Sequence, residues 1–198
     1  MKLRSFILPF IASVALTLSA CSRDEAVDAS ASPGDSASIA RDQAPDALAA
    51  EARGFAVGAL LGAQPVYVLF DPQCPHCARL WESSQPLLGK VKFIWVPVAI
   101  INAKSAPQGA ALLTAASPKD AMAKHETLLL SNQGGLVAAA QVPDEVMNSI
   151  KRNTLLFNRL GAESVPFIVA RNLRTGQVVT HSGAMPTETL AELIGLGQ

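Results

Sequence analysis

Phe70-Asp71-Pro72-Gln73-Cys74-Pro75-His76-Cys77 joins an apolar run to two cysteines three residues apart. Val66 to Phe70, short, β-branched and aromatic, reads as a buried central strand, and Asp71-Pro72 ends it. A helix is expected from Pro75 to Leu88, shortened or kinked by Pro86. Cys-x-x-Cys between a strand and a helix sets the first sulfur beside unpaired N–H groups and the positive end of the helix dipole. That environment favours thiolate and can bring a cysteine pKa from about 8.5 into the range of about 3.5 to 7.5. Cys74 is therefore expected to be the exposed nucleophile, and Cys77, almost one turn further on, the resolving thiol. His76 offers positive charge or a donor near the thiolate, and Pro75 restricts the loop without needing an N–H. Asp71 has two readings, a tuner of proton transfer to Cys77 and a plain strand-ending turn residue.

Outward from this centre the chain reads as an alternating α/β domain. Residues 48–61 are Ala- and Leu-rich and suggest a helix or helix-turn, with Gly54 and Gly58 working against its regularity. Lys90 to Val98 is a second strand. Ser105 can cap a helix through Ala116, and Ser117-Pro118 starts another reaching Leu130, with Asp120 completing part of a capping arrangement. Asn132 to Gly135 is a turn, and Pro143 opens a helix that Gly161 can close. Pro166 to Ala170 and Gln177 to His181 read as strands, followed by a last helix from Pro186 to Leu193.

The octapeptide, followed much later by Ser164-Val165-Pro166-Phe167-Ile168-Val169, resembles the thioredoxin-fold domain of the periplasmic Dsb disulfide isomerases, DsbC and DsbG. The likeness spans roughly residues 55–195. It implies an α/β, thioredoxin-like fold with a helical insertion between the βαβ half and a cis-proline ββα half. It implies a cis Pro166 facing the active-site disulfide, with the backbone of Val165 pairing with the substrate chain. Protein thiols and disulfides of the periplasm become the expected substrates, with a Dsb-type membrane redox partner and no organic cofactor beyond the Cys74–Cys77 disulfide. Two features depart from the isomerases. Where they carry an N-terminal dimerisation domain, these positions hold other sequence, so a monomer is expected. The active-site dipeptide is Pro-His, as in DsbA-type oxidases, which leaves oxidation, reduction and isomerisation open.

The third cysteine belongs to the N-terminus. Lys2 and Arg4 precede an apolar run from Phe6 to Leu18, the pattern of a secretory signal, and too short to span a membrane comfortably. It ends in Leu18-Ser19-Ala20-Cys21, which resembles the bacterial lipobox. That resemblance implies cleavage after residue 20, a diacylglycerol on Cys21 and, with Ser22 following, the periplasmic leaflet of the outer membrane. The plainer reading is ordinary cleavage near Ala20 and a free Cys21. Residues 21–47 are expected to be a disordered tether, rich in Ala, Ser, Asp, Pro and Gly without an aromatic side chain. The catalytic domain then occupies 48–198.

The whole chain of 198 residues carries 16 basic and 16 acidic side chains. Removing residues 1–20 deletes Lys2 and Arg4 and no acid, leaving 14 basic against 16 acidic. With no cluster of like charge, the composition argues against a nucleic-acid partner. A competing class is a copper-binding metallochaperone using Cys74, Cys77, His76 and His125, since thiolate and imidazole suit Cu(I). A second Cys-x-x-Cys is missing, so no metal site is assigned. Trp81 and Trp95 are expected in or beside the core, Trp81 near enough to line the substrate surface. Gln108-Gly109 reads as a helix feature, because the surrounding glycines lack phosphate-loop spacing.

Overall fold

Successive side chains of Pro65–Phe70 point to opposite faces, and nearly all are buried, so this segment needs cover on both sides. In the computed structural model, which describes residues 37–59, 64–138 and 141–197, it receives that cover at the centre of a five-stranded sheet. The strands are β1 (Phe55–Gly58), β2 (Pro65–Phe70), β3 (Lys92–Pro97), β4 (Phe167–Arg171) and β5 (Val178–Ser182), in the order β1-β3-β2-β4-β5. β2 and β3 run parallel, with Val66 opposite Phe93 and Val68 opposite Trp95. The pairs β1·β3, β2·β4 and β4·β5 are antiparallel.

The helices are α1 (Ala44–Glu51), α2 (Pro75–Ser84), α3 (Ser105–Thr114), α4 (Pro118–Leu130), α5 (Asp144–Arg159) and α6 (Thr187–Leu193). On one face Val66, Val68, Phe70, Phe93 and Trp95 pack with Cys77, Leu80 and Trp81 of α2, Met122 of α4 and Leu190 of α6. On the other, Tyr67, Leu69, Val96 and Val169 meet Ala44 and Leu48 of α1 and Leu156 and Phe157 of α5. Both tryptophans are buried and stack edge to face at 5.2 Å, so Trp81 belongs to the core and does not line a substrate surface. Among the described residues no helix is long and apolar enough to cross a membrane.

Two sequence expectations are corrected. The tether was expected to run to residue 47, yet Arg41–Gln43 form a 3-10 turn leading directly into α1. Ala44, Pro45 and Leu48 are buried, and the Ile39 N–H donates to the Arg159 carbonyl at 2.8 Å. One fully buried leucine contributes about 1.5 to 3 kcal/mol, which helps to offset the ordering of the few residues before it. The signal 1–20, Cys21 and the tether as far as residue 36 lie outside the described residues.

The helix expected over 48–61 stops at Glu51, and Phe55–Gly58 is an edge strand on β3. Pairing to β3 buries Phe55 and Val57, two residues apart, which a strand turns to one face and a helix would not. Gly58 ends the strand at φ +100°, where a side chain would overlap the Val91 carbonyl. The remaining elements fall within a few residues of expectation. Ser117 differs in detail, because its hydroxyl donates to Asp120 at 2.6 Å instead of capping a backbone N–H.

Candidate active site

Cys74 stands at the N-cap of α2 with extended backbone, the conformation preferred before proline. Pro75 takes the first helical turn, where its missing N–H costs nothing. The Cys74 N–H donates to the Asp71 carbonyl at 2.9 Å, and its own carbonyl accepts from the N–H of Cys77 at 3.0 Å. Both thiols are free; Cys74, expected to be exposed, is instead buried at 4% exposure by the cluster it packs in, and Cys77 is fully buried.

One helical turn thus gives two chemically identical side chains opposite environments. Cys74 is lowered to about 7, first by the Cys77 thiol donating to it and then by the N–H groups of Cys77 and His76, against burial and the Asp71 charge. Cys77 is pushed well up by burial, by its bond to Cys74 and by the negative charge of Cys74 and Glu126. Near neutral pH the pair therefore offers a thiolate at Cys74 and a thiol at Cys77.

The Val165–Pro166 peptide is cis, and the Val165 carbonyl lies 3.5 Å from the Cys74 sulfur, within reach of the thiol proton. Pro166 is buried at the foot of β4, and its carbonyl accepts from Gly183 at 2.8 Å. Residues 91 positions apart in sequence are thereby brought to one sulfur.

His76 contributes through its backbone; its imidazole is exposed. Asp71 is buried, and its carboxylate accepts from the N–H groups of Gln73 at 2.8 Å, Ile100 at 2.7 Å and Ile101 at 3.0 Å. It clamps the loop before Cys74 to the loop after β3, and its charge raises the Cys74 pKa. The turn reading of Asp71 accounts for the bond to Gln73, and the bonds to Ile100 and Ile101 belong to neither reading.

Around this loop lies a polar girdle. The Gln73 amide donates to Gln108 and to the Gly134 carbonyl at 3.1 Å, and the Gln108 amide donates to Gly134 at 2.8 Å and Leu136 at 2.7 Å. His125 completes it: Nε2 lies 2.7 Å from the Pro72 carbonyl, and Nδ1 faces the Leu136 N–H at 3.1 Å. A carbonyl only accepts and an N–H only donates, so the ring is the neutral Nε2–H tautomer, and burial holds its pKa low. Gly135, at φ +81°, lies against this ring, where any Cβ would overlap it.

Sequence reasoning passed over Gln73 and Glu126 and read Gln108 only as a helix feature. Glu126 is 2% exposed, and neither carboxylate oxygen has a hydrogen-bond partner. Burial pushes its carboxyl well up, aided by the charges of Cys74 and Glu82. The available signal was its place beside His125 and four residues after Met122, on the face that α4 buries. Both His125 nitrogens are already engaged, which removes it from the copper reading. Among the described residues no three His, Cys, Asp or Glu side chains are grouped to hold a metal ion.

No family model matches the chain. It is similar to the thiol:disulfide interchange protein DsbG of Pseudomonas aeruginosa, 33% identical over 132 residues covering 66% of this chain and 50% of that protein. The DsbG of Escherichia coli is 32% identical over 108 residues, covering 52% and 42% respectively. The chain thus spans half or less of the length of these relatives. Among solved structures, the catalytic domain of Proteus mirabilis ScsC superposes with TM-score 0.59 at 20% identity over 76% of this chain and 96% of that one. A periplasmic thioredoxin-like protein from Salmonella enterica serovar Typhimurium gives 0.60 at 19% identity over 79% and 96%. The fold is therefore thioredoxin-like, with α3, α4 and α5 inserted between its two halves.

Proposed function

We propose that the chain belongs to the Dsb family of thiol-disulfide interchange proteins, as its likeness to two DsbG proteins supports, and that Cys74 and Cys77 exchange disulfides with periplasmic proteins. The carrying observation is the split pair: Cys74 at the N-cap of α2, 3.5 Å from the Val165 carbonyl and lowered to about 7, and Cys77 inside the helix, fully buried and held as thiol. In the oxidising direction a substrate thiolate attacks Cys74 Sγ, the Cys74–Cys77 bond breaks, and Cys77 leaves with the electron pair and is protonated. A second substrate thiolate then attacks the mixed disulfide and releases Cys74 as thiolate. The substrate dithiol loses two electrons and the cysteine pair gains them; reduction is the same sequence reversed. Val165, whose carbonyl borders the Cys74 sulfur, supports a substrate strand lying along the Val165–Pro166 segment.

The reading extends to the N-terminus. Signal residues 1–20, a lipid on Cys21 and a tether shorter than residues 21–47 would hold the domain in the periplasm at the outer membrane, facing a membrane redox partner of the Dsb type. The lipobox-like Leu18-Ser19-Ala20-Cys21 supports this. Labelling with radioactive palmitate should mark the full chain and not Cys21→Ala; equal labelling of both refutes lipidation there.

For the chemistry, Cys77→Ala should accumulate mixed disulfides with cellular proteins, visible as thiol-sensitive bands, and Cys74→Ala should not. Trapping by Cys74→Ala alone would reverse the two roles. Alkylation of the pair in intact cells then gives the direction of electron flow, dithiol for a reductase or isomerase and disulfide for an oxidase.

A further inference from the structure

A buried carboxyl without a partner is among the costlier things a core can hold, because neither its charge nor its lone pairs are compensated. Glu126 is such a group, and its place is specific. Met122, one turn earlier on α4, shares a packed cluster with Cys74, Cys77 and Trp81. His125, its immediate neighbour, is bonded to the Pro72 carbonyl two residues before Cys74. α4 is thus pinned to the active-site loop beside the residue that presents the orphaned carboxyl.

The surroundings leave few other charges to answer it. From α2 it faces Cys74, Cys77 and the exposed Glu82, none of them basic. Asp71 on the preceding loop is negative and already spent on three N–H groups. His125 on its own helix is neutral. α3 carries no ionisable side chain, and neither does β1. The charge in this cluster that chemistry changes is therefore the one on Cys74.

We propose that Glu126 is a positioning residue of the redox centre, whose carboxyl gains a proton when the Cys74–Cys77 disulfide is opened and releases it when the disulfide closes. This rests on the thiol-disulfide reading of the same pair. Opening leaves Cys74 as thiolate and Cys77 as thiol, one new negative charge in a closed space. Proton uptake at Glu126 removes a second negative charge from that space, and closure of the disulfide removes the need for it. Thiolate and carboxyl thus raise each other's proton affinity; burial is the first cause that holds the Glu126 carboxyl up, and the Cys74 charge adds to it. By the same linkage the carboxyl makes the reduction potential depend on pH beyond what the thiols account for.

The test is a pH titration of the full chain carrying 13C-carboxyl glutamate, in its dithiol and disulfide forms, with the Glu126 resonance identified by its loss in Glu126→Gln. Its midpoint should lie about one pH unit or more higher in the dithiol form, as expected for two charges a short distance apart in a protein interior. In equilibria with glutathione, wild type should take up more protons per disulfide reduced than Glu126→Gln between the two midpoints, about half a proton more for a one-unit separation, and Glu82→Gln should behave as wild type. Should Glu126→Gln not fold, Glu126→Asp identifies the resonance by its displacement. Equal midpoints in the two forms, or an unchanged proton count in Glu126→Gln, overturn the inference while leaving the exchange function intact. Failure of the pair to exchange with glutathione or with protein thiols overturns the functional reading beneath it.

Discussion

Two buried polar side chains on opposite faces of the sheet are held in opposite ways. Beneath α1 and α5 lies Asn153, fully buried and fully answered: its amide donates to the carbonyls of Arg53 at 2.8 Å and Pro97 at 2.9 Å, and its oxygen accepts from the Arg53 N–H at 2.9 Å. Beneath α2 and α4 lie Cys77, displaced from its ordinary acidity, and Glu126, with no partner at all. Asn153 ties three backbone groups together and is satisfied, since each unmade bond costs about 1 to 3 kcal/mol. Buried groups that must change protonation or bonding state cannot be locked in this way. Asn153 therefore stabilises the fold, whereas Cys77 and Glu126 are buried at a cost to it.

The contrast is most directly broken at the sulfurs. Cys74→Ser should abolish disulfide exchange in an insulin-reduction assay while leaving the melting temperature of the reduced protein within a few degrees. Residual turnover would mean that another group attacks. On the opposite face, Leu156→Ala should cost about 2 to 5 kcal/mol in urea unfolding, as large-to-small changes in a packed core do. The pH profile of Cys74 alkylation should stay unchanged; a moved profile would show that the two faces are coupled.

That profile is itself the next expectation. Alkylation of Cys74 in the dithiol form should rise with a midpoint near pH 7. Asp71→Asn should move it lower, because the charge removed opposes the thiolate; a higher midpoint would give the loop clamp the larger role. A cysteine lowered in the folded state binds fewer protons than in the unfolded chain between its two pKa values, so folding stability rises with pH there. Stability of the dithiol form should accordingly increase from about pH 7 towards the unfolded thiol value near 8.5, and the disulfide form should lack that increase. Parallel stability curves for the two forms would contradict the assignment. The smallest effect belongs to the surface: Asp46→Ala, which breaks the pair to Arg171 at 3.1 Å, should cost no more than about 1 kcal/mol.

Much of this was legible in the residues. The run into Asp71-Pro72, the two cysteines and the proline opening α2 located strand, nucleophile and helix, because each is a local signal with a local cause. Phe55–Gly58 was misread because a four-residue edge strand is specified by its partner, β3, and an Ala- and Leu-rich flank gives no hint of that pairing. The start of the folded unit was placed too late for a similar reason. Residues 41–47 look unable to bury area alone, yet they extend a helix anchored by Leu48.

The sequence by itself determined that Cys74 sits at a helix start with Cys77 one turn inside, since spacing and dipole are properties of a single turn. Tertiary structure decided what those sulfurs feel. Val165, His125 and Glu126 lie 91, 51 and 52 positions from Cys74, and only the packing of β4 and α4 against α2 brings them to it. Asp71 shows the same division: its nearness to Cys74 in sequence suggested a tuner, and bonds to a loop 29 residues away made it a clamp. Electrostatic effects fall with distance in space, whatever the distance along the chain, so Cys77 and His76, which lower Cys74, were legible inside the motif, whereas Glu126, whose charge raises Cys77, was not.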